Sequence, residues 1–171
     1  MRFFAAASII VLMFGVSAPA IAGGIQVEDP WARASIGIER PGVAYMTIRN
    51  SGEEGDRLIS AKTPVAKHAM VHESLIHDGV RKMRPVENIK IAPGGVAVLE
   101  PGGLHLMLNS LQKRLVEGDA FPMTLMFEHA GEVHVYVMVA GMGAKQMPRH
   151  HHDHSDDPAH DDHRDYHDHD E

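Results

Sequence analysis

The stretch that decides the fold is His72-Glu73-Ser74-Leu75-Ile76-His77-Asp78-Gly79-Val80-Arg81-Lys82-Met83-Arg84, together with the later segment Gly102-Gly103-Leu104-His105-Leu106-Met107-Leu108. Asp-Gly is preferred content for a two-residue type I′ turn, so the first segment reads as a β-hairpin turning at Asp78 and Gly79. That register sets His77 against Val80, Leu75 against Lys82 and Ser74 against Met83. Side chains alternate along a strand, so His72 and Ser74 share a face. Met83 lies on the same face, diagonal to His72, with alpha carbons roughly 7–8 Å apart. In the second segment Leu104, Leu106 and Leu108 alternate with His105 and Met107. The leucines read as the buried face, and His105 and Met107 as the other. Two same-face pairs on separate strands make a plausible four-donor cage.

Outward from this stretch the chain continues as strands. Residues 42–50 alternate small and apolar side chains and stop at Asn50-Ser51-Gly52. Residues 56–61 are a shorter candidate. Residues 67–77 and 80–86 form the hairpin. Residues 89–92 stop at Pro93-Gly94-Gly95, and residues 96–100 stop at Pro101-Gly102-Gly103. Residues 123–128 and 132–139 read as a last hairpin about Ala130-Gly131. Residues 111–117 fit one turn of helix or a loop. Many short strands separated by Gly and Pro indicate an all-β sandwich or barrel. Trp31, the one Trp, is expected as a core plug near the first strand, and Met46, Met123, Met126 and Met138 as packing. His129, beside a turn, and His134, alternating outward, read as solvated.

The donors of the cage narrow its metal. Thioethers are neutral and soft, and suit Cu(I). Zinc favours thiolate, imidazole and carboxylate, and the chain has no cysteine. His72, Met83, His105 and Met107 together would leave the charge of Cu(I) uncompensated, which suits a site that holds the ion and releases it. His68 and Met70 share strand parity with His72 and are auxiliary candidates. A lone Met is more often core filling, and a lone His more often solvated; the joint pattern carries the reading.

His72, ten residues, Met83, twenty-one residues, His105, one residue, Met107: this spacing resembles the metal motif of the periplasmic copper chaperones called PCuAC. Asp29-Pro30-Trp31-Ala32-Arg33, Asp78-Gly79-Val80, Met83-Arg84-Pro85-Val86 and Pro101-Gly102-Gly103-Leu104 are similar as well, so the resemblance covers roughly residues 25–130. It implies a cupredoxin-like β-sandwich of Greek-key type. It also implies binding of Cu(I) and delivery to the copper-bearing subunit of cytochrome c oxidase, alongside Sco-type proteins. Some family members carry a second Met after the first His. Here that place is Glu73, and Met70 is the available substitute.

The two ends differ from this body. Met1-Arg2, the apolar run from Phe3 to Val16 and the small residues Ala18-Pro19-Ala20-Ile21-Ala22 read as a cleaved secretory signal over residues 1–22. The run is shorter than the ~20 residues of a spanning helix, so no membrane anchor is expected after cleavage, and a periplasmic location follows. Residues 23–149 suffice for one domain with a single core. Without cysteine its stability has to come from burial rather than disulfides.

Residues 150–171 hold nine acidic residues against one Arg, a formal −8 in a chain of −7, so the body is close to neutral. A neutral body argues against nucleic-acid binding. The tail also carries His150, His151, His152, His154, His160, His163, His167 and His169. It has almost nothing to bury and is expected to be disordered when metal-free. Imidazole with carboxylate suits Cu(II), Zn(II) or Ni(II), so the tail is a candidate second site that captures copper, or else a solubilising segment.

No nucleophile–base, paired-carboxylate or phosphate-loop signature stands out, and a carrier rather than an enzyme is expected. Three other readings stay open. A zinc, nickel or copper reservoir would work mainly through the tail. A blue-copper electron carrier would need a Cys thiolate that is lacking. A metal-free adhesion module would gain no stability from Cu(I).

Overall fold

The computed structural model describes residues 24–77 and 79–147. The expected signal segment 1–22, the turn residue Asp78 and the histidine tail 150–171 lie outside the described residues. Ten strands follow in order: β1 (Ile25–Arg33), β2 (Gly42–Asn50), β3 (Asp56–Lys62), β4 (Ala66–His77), β5 (Val80–Pro85), β6 (Ile89–Ile91), β7 (Val96–Leu99), β8 (Leu104–Leu111), β9 (Ala120–Phe127) and β10 (Gly131–Ala140). Among the described residues there is no helix, and residues 112–119 connect β8 to β9 as a loop.

Hydrogen bonding orders the strands β5-β4-β8-β7-β2-β1-β10-β9-β3-β6, with further pairings β3–β4 and β2–β8. The β3–β4 contact, at Ala61 opposite Ala69, brings the two halves of the sheet back together, so the strands wrap a single interior. The result is an all-β, barrel-like cupredoxin fold. Most neighbours are antiparallel; β1 runs parallel to β10, and β7 parallel to β8.

The core follows from alternation. On β8, Leu106 and Leu108 are fully buried, and on β9 Phe121, Met123, Leu125 and Phe127 are each at most 2% exposed. Ile25, Met46, Ile48 and Leu58 meet them from the other strands. Each such side chain contributes roughly 1.5–3 kcal/mol by leaving water. Met46 and Met123 are core residues as expected, whereas Met126 and Met138 are only half-buried, because their parity turns them to the outer face.

Two differences from the sequence reading have local causes. The strand over Ile25–Arg33 is hidden in the sequence by Asp29-Pro30, which breaks its alternation. The structure absorbs the break with a register shift between Glu28 and Trp31, and Asp29 takes φ 47°. Trp31 is buried, but not in the main core. It packs with Tyr45 and Ala140 in a separate outer cluster covered by Ala144 and Met147. Its ring lies 4.5 Å from that of Tyr45. Arg33 stacks over Tyr45 at 5.6 Å and donates from Nε to the Ala144 carbonyl at 2.8 Å. The segment after β10 is thereby pinned across β1 and β2, which sets Lys145 beside the candidate site.

Candidate metal centre

The hairpin forms in the register its turn residues imply. His77 faces Val80, Leu75 faces Lys82, Ser74 faces Met83 and His72 faces Pro85. Gly79 has φ 75°, the left-handed conformation that a type I′ turn asks of its second central residue. Behind the donor face, the cross-strand partners Glu73 and Arg84 pair at 2.6 Å and tie β5 to β4.

Strand β4 lies between β5 and β8, and the β4–β8 ladder sets His72 directly opposite His105 and Met70 directly opposite Met107. Met107 also faces Val43 of β2. The four sequence-designated donors therefore stand on one outward face over three neighbouring strands: Met83 on β5, His72 on β4, His105 and Met107 on β8. Leu104, Leu106 and Leu108 take the other face of β8, and Leu106 and Leu108 are buried in the core.

His105 is only 4% exposed. The Pro101-Gly102-Gly103 turn, with Gly102 at φ 95°, leads directly into β8 and aims the Gly103 carbonyl at the site. That oxygen accepts from the Ser74 N–H at 3.1 Å and from His105 Nδ1–H at 3.0 Å. With the proton held on Nδ1, the lone pair of His105 lies on Nε2. Both His105 Nε2 and His72 Nδ1 are buried with no hydrogen-bond partner. A metal-ligating imidazole commonly donates its second nitrogen to a backbone carbonyl, as His105 does here. The two rings are 6.1 Å apart between centroids and inclined by 23°. Near-parallel rings do not aim both in-plane lone pairs at one point. Because His105 is held by the Gly103 carbonyl, sharing one ion calls for a turn of the His72 ring about χ2, a soft torsion.

Met83 and His105 line an open pocket of about 430 Å³ with Ser74, Tyr45, Arg33 and Lys145. Met83 is 56% exposed, a high value for a thioether, because β5 is the outermost strand of its side of the sheet. Burial raises the Tyr45 hydroxyl above its ordinary pKa, against the opposing charge of Arg33, so this wall of the pocket is a neutral phenol. Among the described residues no three His, Asp or Glu side chains converge on a point. The pattern of the sequence did not reveal the orienting carbonyl of Gly103, nor the pocket wall of Tyr45, Arg33 and Lys145. The Gly-Gly pair two residues before His105 is the trace of the first; the second depends on long-range packing that leaves no local trace.

The family model described as "Putative lipoprotein LpqE-like" matches residues 25–139. A relative named "Putative lipoprotein Lxx21020", from Leifsonia xyli subsp. xyli, is 28% identical over 120 residues, covering 69% of this chain and 70% of its own. Among solved structures, the apo PCuAC domain of PmoF2 superposes with a TM-score of 0.62 at 32% identity, covering 74% of this chain and 97% of that domain. The copper-bound form of the same domain gives 0.59 at 32% identity, over 70% and 95%. The Cu(I) form of DR1885 from Deinococcus radiodurans gives 0.51 at 27% identity, over 67% and 76%. The chain thus belongs to the LpqE-like family and is of the PCuAC copper-chaperone type.

Proposed function

We propose that this protein is an extracytoplasmic copper carrier that binds Cu(I) through His72, Met83, His105 and Met107 and passes it to an acceptor by ligand exchange. One observation carries the reading: two facing imidazoles each keep a buried nitrogen without a partner, and one of them is held in the metal-binding tautomer. Leaving such atoms unpaired costs about 1–3 kcal/mol each, which coordination would recover. The copper-bound relatives support the choice of metal, and the thioethers on the same face support its monovalent state.

Exchange is favoured by the way the donors are exposed. His105 is enclosed, while Met83 sits on the outermost strand in contact with solvent. An incoming ligand would displace Met83 first and reach the imidazoles last. The four donors are themselves neutral, and the adjoining pocket is lined by Arg33 and Lys145 as well as Glu100, so no charged ligand holds the ion and release is not strongly opposed. On this reading the protein acts as a carrier rather than an enzyme.

The acceptor we infer is the copper centre of cytochrome c oxidase, with Sco-type proteins as companions in the relay. The family's lipoprotein character favours a location outside the cytoplasm. These 171 residues contain no cysteine to carry a lipid, so secretion with a cleaved leader is the route we favour. The histidine tail would add a capture site for Cu(II). Lys145 shares the pocket of Met83 and His105, so the tail follows within a few residues of the rim, where captured copper would be locally concentrated.

X-ray absorption on the Cu(I)-loaded chain ending at Arg149 tests the proposal. Mixed nitrogen and sulfur neighbours are expected; a shell of nitrogen and oxygen alone would remove the carrier reading. Loss of all metal binding with the tail would point instead to a zinc, nickel or copper reservoir.

A further inference from the structure

The outer face of β4 carries His68, Met70, His72 and Ser74 in succession, and each of the middle two faces a donor on β8. His72 stands opposite His105, and Met70 opposite Met107. Facing pairs on neighbouring antiparallel strands hold their Cβ atoms about 4.5–5.5 Å apart. Two adjacent facing pairs therefore define a square of two imidazoles and two thioethers that is complete on β4 and β8 alone, without β5. Met70 is 47% exposed although its strand is paired on both sides. An apolar side chain left in solvent there contributes little to packing. Met83 lies on the opposite side of β4, facing Ser74, and lines a pocket with His105.

We propose that Met70 is a fifth copper donor that alternates with Met83 as the second sulfur of the site. The inference rests on the carrier reading above and adds a step to it. With Met83 engaged, the ion sits toward the outermost strand, where an acceptor can reach it. When an acceptor's ligand displaces Met83, Met70 closes on the ion from within the paired sheet, and the coordination number does not fall while exchange is under way. The flexible, unbranched Met side chain suits a donor that has to swing on and off without moving backbone.

The test uses the full chain with one equivalent of Cu(I), comparing wild type, Met83→Ala, Met70→Ala and the double variant. Sulfur neighbours are counted by X-ray absorption, and affinity is measured by competition with bathocuproine disulfonate. Met83→Ala is expected to keep two sulfur neighbours and to lose less than about tenfold in affinity, because Met70 takes the vacant place. Met70→Ala alone should cost less than about threefold. The double variant should drop to one sulfur neighbour and bind more than about threefold worse than the product of the two single effects.

A fall to one sulfur in Met83→Ala, or a double variant indistinguishable from Met83→Ala, would overturn the role of Met70 and leave the carrier reading intact. Two sulfurs persisting in the double variant would overturn it too, since Met142 or Met147 would then be the source. A wild-type protein without sulfur neighbours would instead sink the carrier reading itself. Because both side chains are about half exposed, metal-free thermal unfolding of all four proteins should agree within a few degrees, and a larger loss in Met70→Ala would mark it as a packing residue.

Discussion

Two corners of the molecule carry histidines on strand faces that point away from the core, and they treat them in opposite ways. At the β9–β10 corner, His134 lies opposite Thr124, and its Nδ1 is 3.0 Å from the Thr124 hydroxyl. Its side chain is 71% exposed, and its Nε2 lies at the surface 3.8 Å from the Glu132 carboxylate. His129, at the turn, is 61% exposed. At the β4–β8 corner, His72 lies opposite another imidazole rather than a hydroxyl, and both residues keep a buried ring nitrogen that no protein group meets. The residue type is the same and the strand geometry is the same. What separates the corners is whether the ring nitrogen without a hydrogen-bond partner in the protein is open to solvent or buried. An unmet demand in a place closed to water is a binding feature, because an incoming ion satisfies it. Counting histidines would rank the two corners alike.

The contrast is broken most directly by removing one imidazole from each corner. His105→Ala should abolish Cu(I) binding by the chain ending at Arg149, and His134→Ala should leave it unchanged, in competition titrations with bicinchoninate. Equal losses at both would mean that burial of the ring nitrogen does not mark the site. A second substitution separates the two faces of the strand that carries the site. Leu106 is fully buried between His105 and Met107 in sequence, and it faces inward. Leu106→Ala should cost about 3 kcal/mol in urea unfolding of the metal-free protein, through lost burial and a cavity. Its Cu(I) affinity should stay within about threefold of wild type, provided the variant is folded. If affinity falls as far as stability does, the donor face depends on core packing and the two faces are not independent.

The same contrast explains what could be read from the amino-acid order. The β4–β5 hairpin and the inner leucines of β8 were legible because a turn dipeptide and a period of two are local signals. The parity of His105 and Met107 followed from them. The pairing of His72 with His105 was not legible, since nothing within either segment says that β4 and β8 are neighbours in that register. Met70 was visible only as a residue of the right parity; its position opposite Met107 emerges from that same long-range register. The strand over Ile25–Arg33 was obscured by Asp29-Pro30, whose local preference is overridden by pairing with β2 on one side and β10 on the other. Trp31 was assigned to the core by size and apolarity, and hydropathy alone cannot distinguish that core from an outer cluster covered by a returning segment.

The β9–β10 corner has its own version of a satisfied demand, and it gives the mildest of the three tests. Asp56 is 7% exposed and accepts from the backbone N–H groups of His129 at 3.0 Å, Ala130 at 2.9 Å and Arg57 at 2.7 Å. Burial by itself would raise its carboxyl, but the three N–H groups, with the charge of His129 when protonated, outweigh that and hold it below the usual range. A carboxyl whose pKa is lower folded than unfolded takes up its proton more readily in the unfolded chain. Its contribution is therefore present in full above about pH 4, the ordinary Asp value, and fades as the pH falls through the folded value. Asp56→Asn keeps the shape and one acceptor but removes the charge, and should cost about 1–2 kcal/mol at pH 7. The gap between variant and wild type should narrow steadily in urea unfolding below pH 4, while Cu(I) binding at neutral pH is unaltered. A gap as wide at pH 3 as at pH 7 would show that the carboxylate charge is not what orders the turn. In that case the β9–β10 corner would be held by its strand ladder alone, and the satisfaction of its polar groups would be a consequence of the fold rather than a cause.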